Sequence, residues 1–260
     1  MTTTDNTILI TGGGSGIGRG LAEAFHALGN QVVISGRTQK SLDEVTAANP
    51  GMKSLTLDIT DPENIKTFAA RLTKEFPKLN VLINNAGIMR AESLLQHSRD
   101  LSDAEETVTT NLLGPIRLTA ALLPLLQQQP RATVMNVSSG LAFVPLSLTP
   151  TYCATKAAIH SYTQSVRYQL KDTGVEVLEL IPPYVQTALM GDRQANDPHA
   201  MPMAEFIAGV MDILKTQPDA TEVAVQRVAP LRFASEGGQQ KYEQFFKQFN
   251  DTMTAARPNG

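Results

Sequence analysis

Cysteine is nearly missing from this chain of 260 residues, with Cys153 its single representative. One thiol excludes an internal disulfide and fits a reducing compartment. Basic blocks are absent too, and a net charge of -3 gives no electrostatic reason to expect a nucleic acid partner. Long apolar runs are lacking: the most apolar stretch, "LTAALLPLL", is too short for a membrane span and carries Pro124. The opening "MTTTDNT" is polar, without a basic start or an apolar stretch behind it, so a cytoplasmic protein rather than a secreted one is expected. His26, His97, His160 and His199 occur in no HExxH or paired-cysteine context, so no metal site is legible.

What the chain does have is 42% hydrophobic and 18% charged residues, the make-up of an ordinary globular protein with material for a sizeable core. Near-continuous apolar runs at 7–11, 31–35, 54–58, 80–84, 132–138, 175–181 and 222–228 read as strands covered on both faces. Helical patterns fall between them at 16–28, 39–48, 62–76, 100–128, 152–173 and 203–215. Gly114 and Pro115 lie inside the long fourth pattern and predict a disruption there. Gly29 and Gly174 follow two helices where left-handed caps favour glycine. "GGQQKYEQFFKQFND" predicts a C-terminal helix at about 236–250, with Tyr242, Phe245, Phe246 and Phe249 on one face.

Repeated strand–helix–strand units imply a mainly parallel sheet with right-handed crossovers and helices on both faces. No linker, charge run or repeat divides the chain. The expected fold is therefore α/β, one Rossmann-type doubly wound domain over residues 1–260 with a seven-stranded sheet.

The first strand meets the first helix in "TILITGGGSGIGRGLAEAF", where Gly12, Gly16 and Gly18 give a TGxxxGxG spacing. Side chains in such a turn would block backbone approach to a pyrophosphate, while the helix start directs unpaired N–H groups toward the anion. A glycine-rich turn without a ligand is the plain alternative. "TYCATK" places Tyr152 and Lys156 one helical turn apart on one face. By itself that spacing fits two ordinary residues on a solvated helix more readily than a catalytic couple.

The glycine turn, "LDI" at 57–59, "NNAG" at 84–87, Asn111, "NVSS" at 136–139 and "YCATK" occur in the order found in the short-chain dehydrogenase/reductase family. The resemblance extends over roughly residues 7–190. It implies binding of NAD or NADP, with Gly12, Ser15, Gly16, Ile17 and Gly18 at the phosphates, Asp58 and Ile59 bordering the adenine, and Asn85, Ala86 and Gly87 along the cofactor. It also implies a catalytic set of Ser139, Tyr152 and Lys156 completed by Asn111. Tyr152 is then the proton donor in carbonyl reduction, its phenol acidified by Lys156, which also holds the nicotinamide ribose. Ser139 would hydrogen-bond the carbonyl oxygen, and Asn111 would anchor a water linking Lys156 to solvent. Ser138 is expected to be structural and Cys153 a packing residue.

At the end of the second strand, NAD binders usually carry a carboxylate for the ribose 2′-hydroxyl. Here "VVISGRTQK" has Gly36 in that place and Arg37 next, so NADP is the expected cofactor. The Ser35 hydroxyl is a further candidate contact, with its direction left open by the sequence. After the sixth strand, "PPYVQT" keeps Pro182 and Thr187 but has Pro183 where the family has glycine, which removes an N–H and fixes φ. Val185 and Thr187 would approach the carboxamide and diphosphate. A variable substrate lid follows at about 183–205, with Leu189, Met190, Met201 and Met203 as apolar lining, joined by "LAFVPLSL" after Ser139. Arg90 and Arg193 would meet an anionic substituent or stay solvated. The reading is an NADPH-dependent carbonyl reductase, reversible as an alcohol dehydrogenase, forming a homodimer or homotetramer through helices 100–128 and 152–173. A dehydratase or epimerase on this fold, or a cofactor-sensing protein without turnover, are the alternatives.

Overall fold

A computed structural model describes residues 1–95 and 100–255; His97 lies outside them. The chain opens with β1 (Thr7–Thr11), α1 (Gly16–Ala27), β2 (Gln31–Gly36), α2 (Gln39–Ala48), β3 (Lys53–Thr56), α3 (Pro62–Glu75) and β4 (Val81–Asn84). Next come α4 (Ser102–Val108), a π-helical segment (Thr109–Leu113), α5 (Gly114–Leu126), β5 (Ala132–Val137), α6 (Pro150–Gln169) and β6 (Val175–Leu180). The remainder holds α7 (Asp192–Ala195), α8 (Met203–Thr216), β7 (Glu222–Val223), α9 (Ala229–Arg232) and α10 (Gln239–Ala255).

All seven strands pair in parallel in the order β3-β2-β1-β4-β5-β6-β7. Alternation along the strands divides the core. Ile8 and Ile10 join Leu21, Phe25, Phe206 and Val210 under α1 and α8. Leu9 points the other way, into a layer with Phe68, Leu72, Leu118 and Leu122 under α3 and α5. The sheet is thus buried on both sides, which is why its strands read as unbroken apolar runs. Among the described residues no helix is long and apolar enough to cross a membrane.

Local signals explain the element ends. Asp61 caps α3 by accepting the Glu63 N–H at 2.8 Å, and Pro62 follows at the first helical position. Gly29 takes a positive φ of 84° just after α1, whereas Gly174 adopts no left-handed conformation; α6 has already ended at Gln169, and a turn intervenes. The pattern at 100–128 is not one helix. A π segment interrupts it where Gly114 lies so close to the chain at Ile59 that an added Cβ would stand 3.0 Å from the Ile59 carbonyl oxygen. The run at 222–228 forms only two residues of strand and then a short 3₁₀ turn at Gln226–Val228. Its partner β6 leads directly into Pro182 and Pro183, so the ladder has few N–H donors with which to continue. The C-terminal helix starts at Gln239, after Gly238 with φ 87°, and runs on to Ala255.

Candidate active site

Strand order reverses between β1 and β4, because the chain winds outward from β1 to β3 and then returns to β1's other side. A crevice opens at such a reversal, at the carboxyl ends of the strands. Here the glycine turn and "NNAG" are locked together. The Thr11 hydroxyl accepts the Asn85 and Ala86 N–H groups, both at 3.0 Å, and Asn85 Nδ2 donates to the Thr11 carbonyl at 2.9 Å. Gly12 has φ 67°, and a Cβ there would lie 3.0 Å from the Ala86 Cα. Gly18 is tighter still: a Cβ would stand 2.3 Å from the Gly12 carbonyl oxygen. These two glycines close the turn onto β4. Gly16, also at positive φ, faces Thr187 across the crevice.

A cavity of about 400 Å³ occupies the crevice. One end is walled by Gly12, Ser15, Gly16, Ile17 and the Asn85–Gly87 backbone. At the other, Ser139, Tyr152 and Lys156 arrive from β5 and α6, while Pro182, Val185 and Thr187 arrive from the chain after β6. Ser15 makes no side-chain cap on α1, so the helix's first-turn N–H groups remain available to this end. A second cavity of about 220 Å³ lies toward β2, lined by Ser35, Gly36, Arg37, Ile59 and Thr110. Two buried hydroxyls lining it, those of Ser35 and Thr110, have no hydrogen-bond partner. Buried polar groups are ordinarily paired. Two orphan hydroxyls and a backbone cradle without room for side chains suit a dinucleotide.

At the polar end Ser139 Oγ accepts the Leu141 N–H at 3.1 Å, and its hydroxyl is the group that counters burial at the Tyr152 phenol. Lys156 Nζ donates to the Val137 carbonyl at 2.8 Å and lies 5.6 Å from the Tyr152 ring centroid. Burial pushes the Lys156 ammonium down to about 8, opposed by the Glu179 carboxylate. The acidified phenol expected of this pair is not found. Burial raises Tyr152 well above its ordinary range, with only the Ser139 hydrogen bond pulling the other way. Lys156 spends its contact on a main-chain oxygen, so its charge does not dominate the phenol.

Asn111 lies behind this wall and does not line the cavity. Its Oδ1 accepts the Ile88 N–H and its Nδ2 donates to the Ile88 carbonyl, both at 2.9 Å, with a further bond to the Thr155 hydroxyl at 3.2 Å. That side chain is a tie between the π segment, the loop after β4 and α6. Asp58 likewise stays outside both linings. Its carboxylate holds the Thr60 hydroxyl and N–H, which keeps its pKa below the usual carboxylate range. Ser138 also lines the cavity; its N–H donates to the Leu180 carbonyl at 2.9 Å and its hydroxyl reaches the same oxygen at 3.5 Å. Cys153 is buried, its Sγ accepting the Leu146 N–H at 3.2 Å, and burial pushes the thiol's pKa up.

The apolar wall differs from expectation. Leu189 and Met190 line the cavity, but Met201 is buried in the core, bridged to Val185, and Met203 packs against the same cluster. In their places stand Leu231 from α9 and Phe249 and Met253 from α10. Arg90 reaches the cavity, with Asp103 at 3.7 Å, whereas Arg193 does not line it. Gln194 had no sequence signal. Its buried amide donates to the Val185 carbonyl and the Thr187 hydroxyl and accepts the Met190 N–H, fixing the loop after β6 from within.

A parallel sheet reversing beside a glycine turn, with Ser, Tyr and Lys at one mouth, defines a Rossmann-type dehydrogenase. The chain belongs to the short chain dehydrogenase family, whose model matches residues 6–198. It is therefore an oxidoreductase of that family. The "Uncharacterized oxidoreductase DltE" of Bacillus subtilis (strain 168) is 38% identical over 253 residues, covering 96% of this chain and 98% of that one. A short chain dehydrogenase from Burkholderia cenocepacia J2315, solved in complex with NADP, superposes with a TM-score of 0.80 at 24% identity, covering 95% of this chain and 99% of that one. A short chain dehydrogenase/reductase from Burkholderia phymatum, solved with NAD, gives 0.77 at 20% identity over 91% and 95%.

Proposed function

We propose that this chain is an NADPH-dependent oxidoreductase that reversibly reduces a ketone or aldehyde to an alcohol. The observation that carries the reading is the convergence of Ser139, Tyr152 and Lys156 on the cavity that also opens onto the glycine turn. When bound, the dinucleotide supplies the hydride. The protein's task is then the proton and the oxygen's charge. A phenol kept neutral by burial is in the form that donates a proton to the substrate oxygen during reduction, and its conjugate base accepts one during oxidation. Ser139 donates a hydrogen bond to the same oxygen. The Lys156 ammonium, present below about pH 8, favours negative charge nearby and is the group assigned to the nicotinamide ribose. Asn111 supports the set as a brace behind α6.

The cradle of Gly12, Ser15, Gly16, Ile17 and Gly18 is assigned to the diphosphate, with Thr187 opposite, and Asn85, Ala86, Gly87, Pro182 and Val185 along the nicotinamide half. NADP is favoured over NAD because no carboxylate ends β2 and Arg37 stands there instead. Arg37 pairs with Glu106 at 3.1 Å, but both side chains are substantially exposed. An exposed pair of this kind is worth about 0–1 kcal/mol, less than the roughly 1.5–3 kcal/mol of a hydrogen bond to a charged phosphate. The exchange favours the ligand.

Residues 183–205 are assigned to the substrate lid, and the apolar wall suits a hydrophobic carbonyl compound. We assign the chain to a homodimer or homotetramer in the cytoplasm, assembled through α5 and α6; a monomeric mass by light scattering at assay concentration rejects the assembly. Tyr152→Phe tests the chemistry. NADPH oxidation across a panel of carbonyl compounds should fall by about a hundredfold or more in this variant, with folding and NADPH binding retained. Undiminished turnover removes Tyr152 from the mechanism.

A further inference from the structure

On its α6 side the sheet turns polar toward the strand carboxyl ends. Asn84, Asn136, Glu179 and Glu222 stand side by side in register across β4 to β7. Helix α6 answers with a polar stripe at helical spacing. Lys156 bonds the Val137 carbonyl, His160 Nδ1 meets Glu179 Oε2 at 2.8 Å, Thr163 accepts from Asn136, and Arg167 donates to the Val177 carbonyl. Lys156 and Glu179 are the only charged residues classed as buried among the described residues, and Glu179 is wholly inaccessible. Its second oxygen, Oε1, has no hydrogen-bond partner. A lone buried charge is heavily penalised unless an opposite one compensates it.

We infer that Glu179 is a positioning residue for the reaction: it is the buried counter-charge that holds Lys156 as an ammonium. This rests on the role proposed above for Lys156. Glu179 meets His160 of α6 and pairs in register with Glu222 of β7; Lys156 lies one turn before His160 on α6 and Arg167 two turns after it, while Arg232 of α9 reaches Glu222. His160, Glu179 and Glu222 present ligand atoms within 4.8 Å of one another. A metal cation is nonetheless the wrong occupant. Arg232 takes both Glu222 oxygens at 2.7 and 2.9 Å, and with Lys156 and Arg167 three cations already oppose two carboxylates. Glu179 attracts Lys156, Arg167 and Arg232 alike, but of the three only Lys156 is buried, and its own hydrogen-bond acceptor is a neutral carbonyl. Removing the carboxylate leaves burial unopposed, so the Lys156 proton leaves at lower pH.

The test does not depend on turnover. Acetylation of Lys156 by acetic anhydride, followed by peptide mass spectrometry from pH 6 to 9, reads the fraction of free amine. In Glu179→Gln the midpoint should fall, raising labelling at pH 7 several-fold over wild type, while Glu179→Asp should stay close to wild type. An unmoved midpoint in folded Glu179→Gln overturns the inference. Should that variant not fold, His160→Gln decides: it keeps the carboxylate, so its midpoint should equal or exceed wild type, and a lowered midpoint overturns the inference. In parallel, the alkaline limb of kcat/KM should move to lower pH in Glu179→Gln. A wild-type protein that labels as expected yet reduces no carbonyl compound rejects the functional proposal and leaves this one standing.

Discussion

The proposed preference for NADP turns on two adjacent positions, Gly36 and Arg37. Gly36 has an unremarkable φ, and a Cβ there would touch only Leu42 Cδ2 at 3.7 Å, so a side chain can be installed without strain. An Asp at that position would repel a 2′-phosphate and accept from a 2′-hydroxyl. Gly36→Asp combined with Arg37→Ala should lower the NADPH/NADH ratio of kcat/KM by about ten- to a hundredfold, the equivalent of one charge-assisted hydrogen bond. An unchanged ratio removes Arg37 from cofactor selection. The place of Gly36 and Arg37 at the end of β2, beside the second cavity, was legible from the strand pattern. The acidity of Tyr152 was not, since spacing brings Lys156 near but does not say how deeply either group is buried or which oxygen the ammonium chooses. Met201 and Met203 misled for a similar reason: flexible apolar side chains serve a pocket wall or a core equally well, and a bridge to Val185 sends Met201 inward.

Among elements, the strands and crossovers were readable because each strand is apolar on both faces, and the break near Gly114 followed from the glycine and proline themselves. Its form was not readable. The π segment turns Asn111 inward, where it satisfies both the N–H and the carbonyl of Ile88. A wide turn of this kind depends on partners that no local pattern displays. Asn111→Ala would leave those half-buried main-chain groups without their side-chain partner, at up to about 1–3 kcal/mol. The expected result is a lowered denaturation midpoint together with reduced turnover, since Thr155, adjacent to Lys156, loses a contact with the brace. Lost turnover at full stability would instead place Asn111 in the chemistry directly.

At the scale of the whole molecule, the crevice is built from two unequal contributions. Residues 6–198, the part matching the family model, supply the glycine turn and the Ser139–Tyr152–Lys156 end. Leu231, Phe249 and Met253 lie beyond that match, yet they complete the apolar wall. Helix α10 is held there by Asn250, which accepts the Ser147 N–H at 2.7 Å and donates to the Pro145 carbonyl at 3.1 Å, joining the last helix to the loop after Ser139. The aromatic face of this helix was visible in the sequence, but its destination was not, because nothing local tells an amphipathic helix which neighbour it will meet. The division of labour predicts a division of effects. Phe249→Ala removes ring surface worth about 1.5–3 kcal/mol to an apolar group packed on it, so KM for bulky hydrophobic ketones should rise roughly ten- to a hundredfold. Reduction of the smallest aldehydes and the Kd for NADPH should stay near wild type, because neither requires that wall. Equal losses on small and bulky substrates would mean that α10 stabilises the site without shaping its specificity.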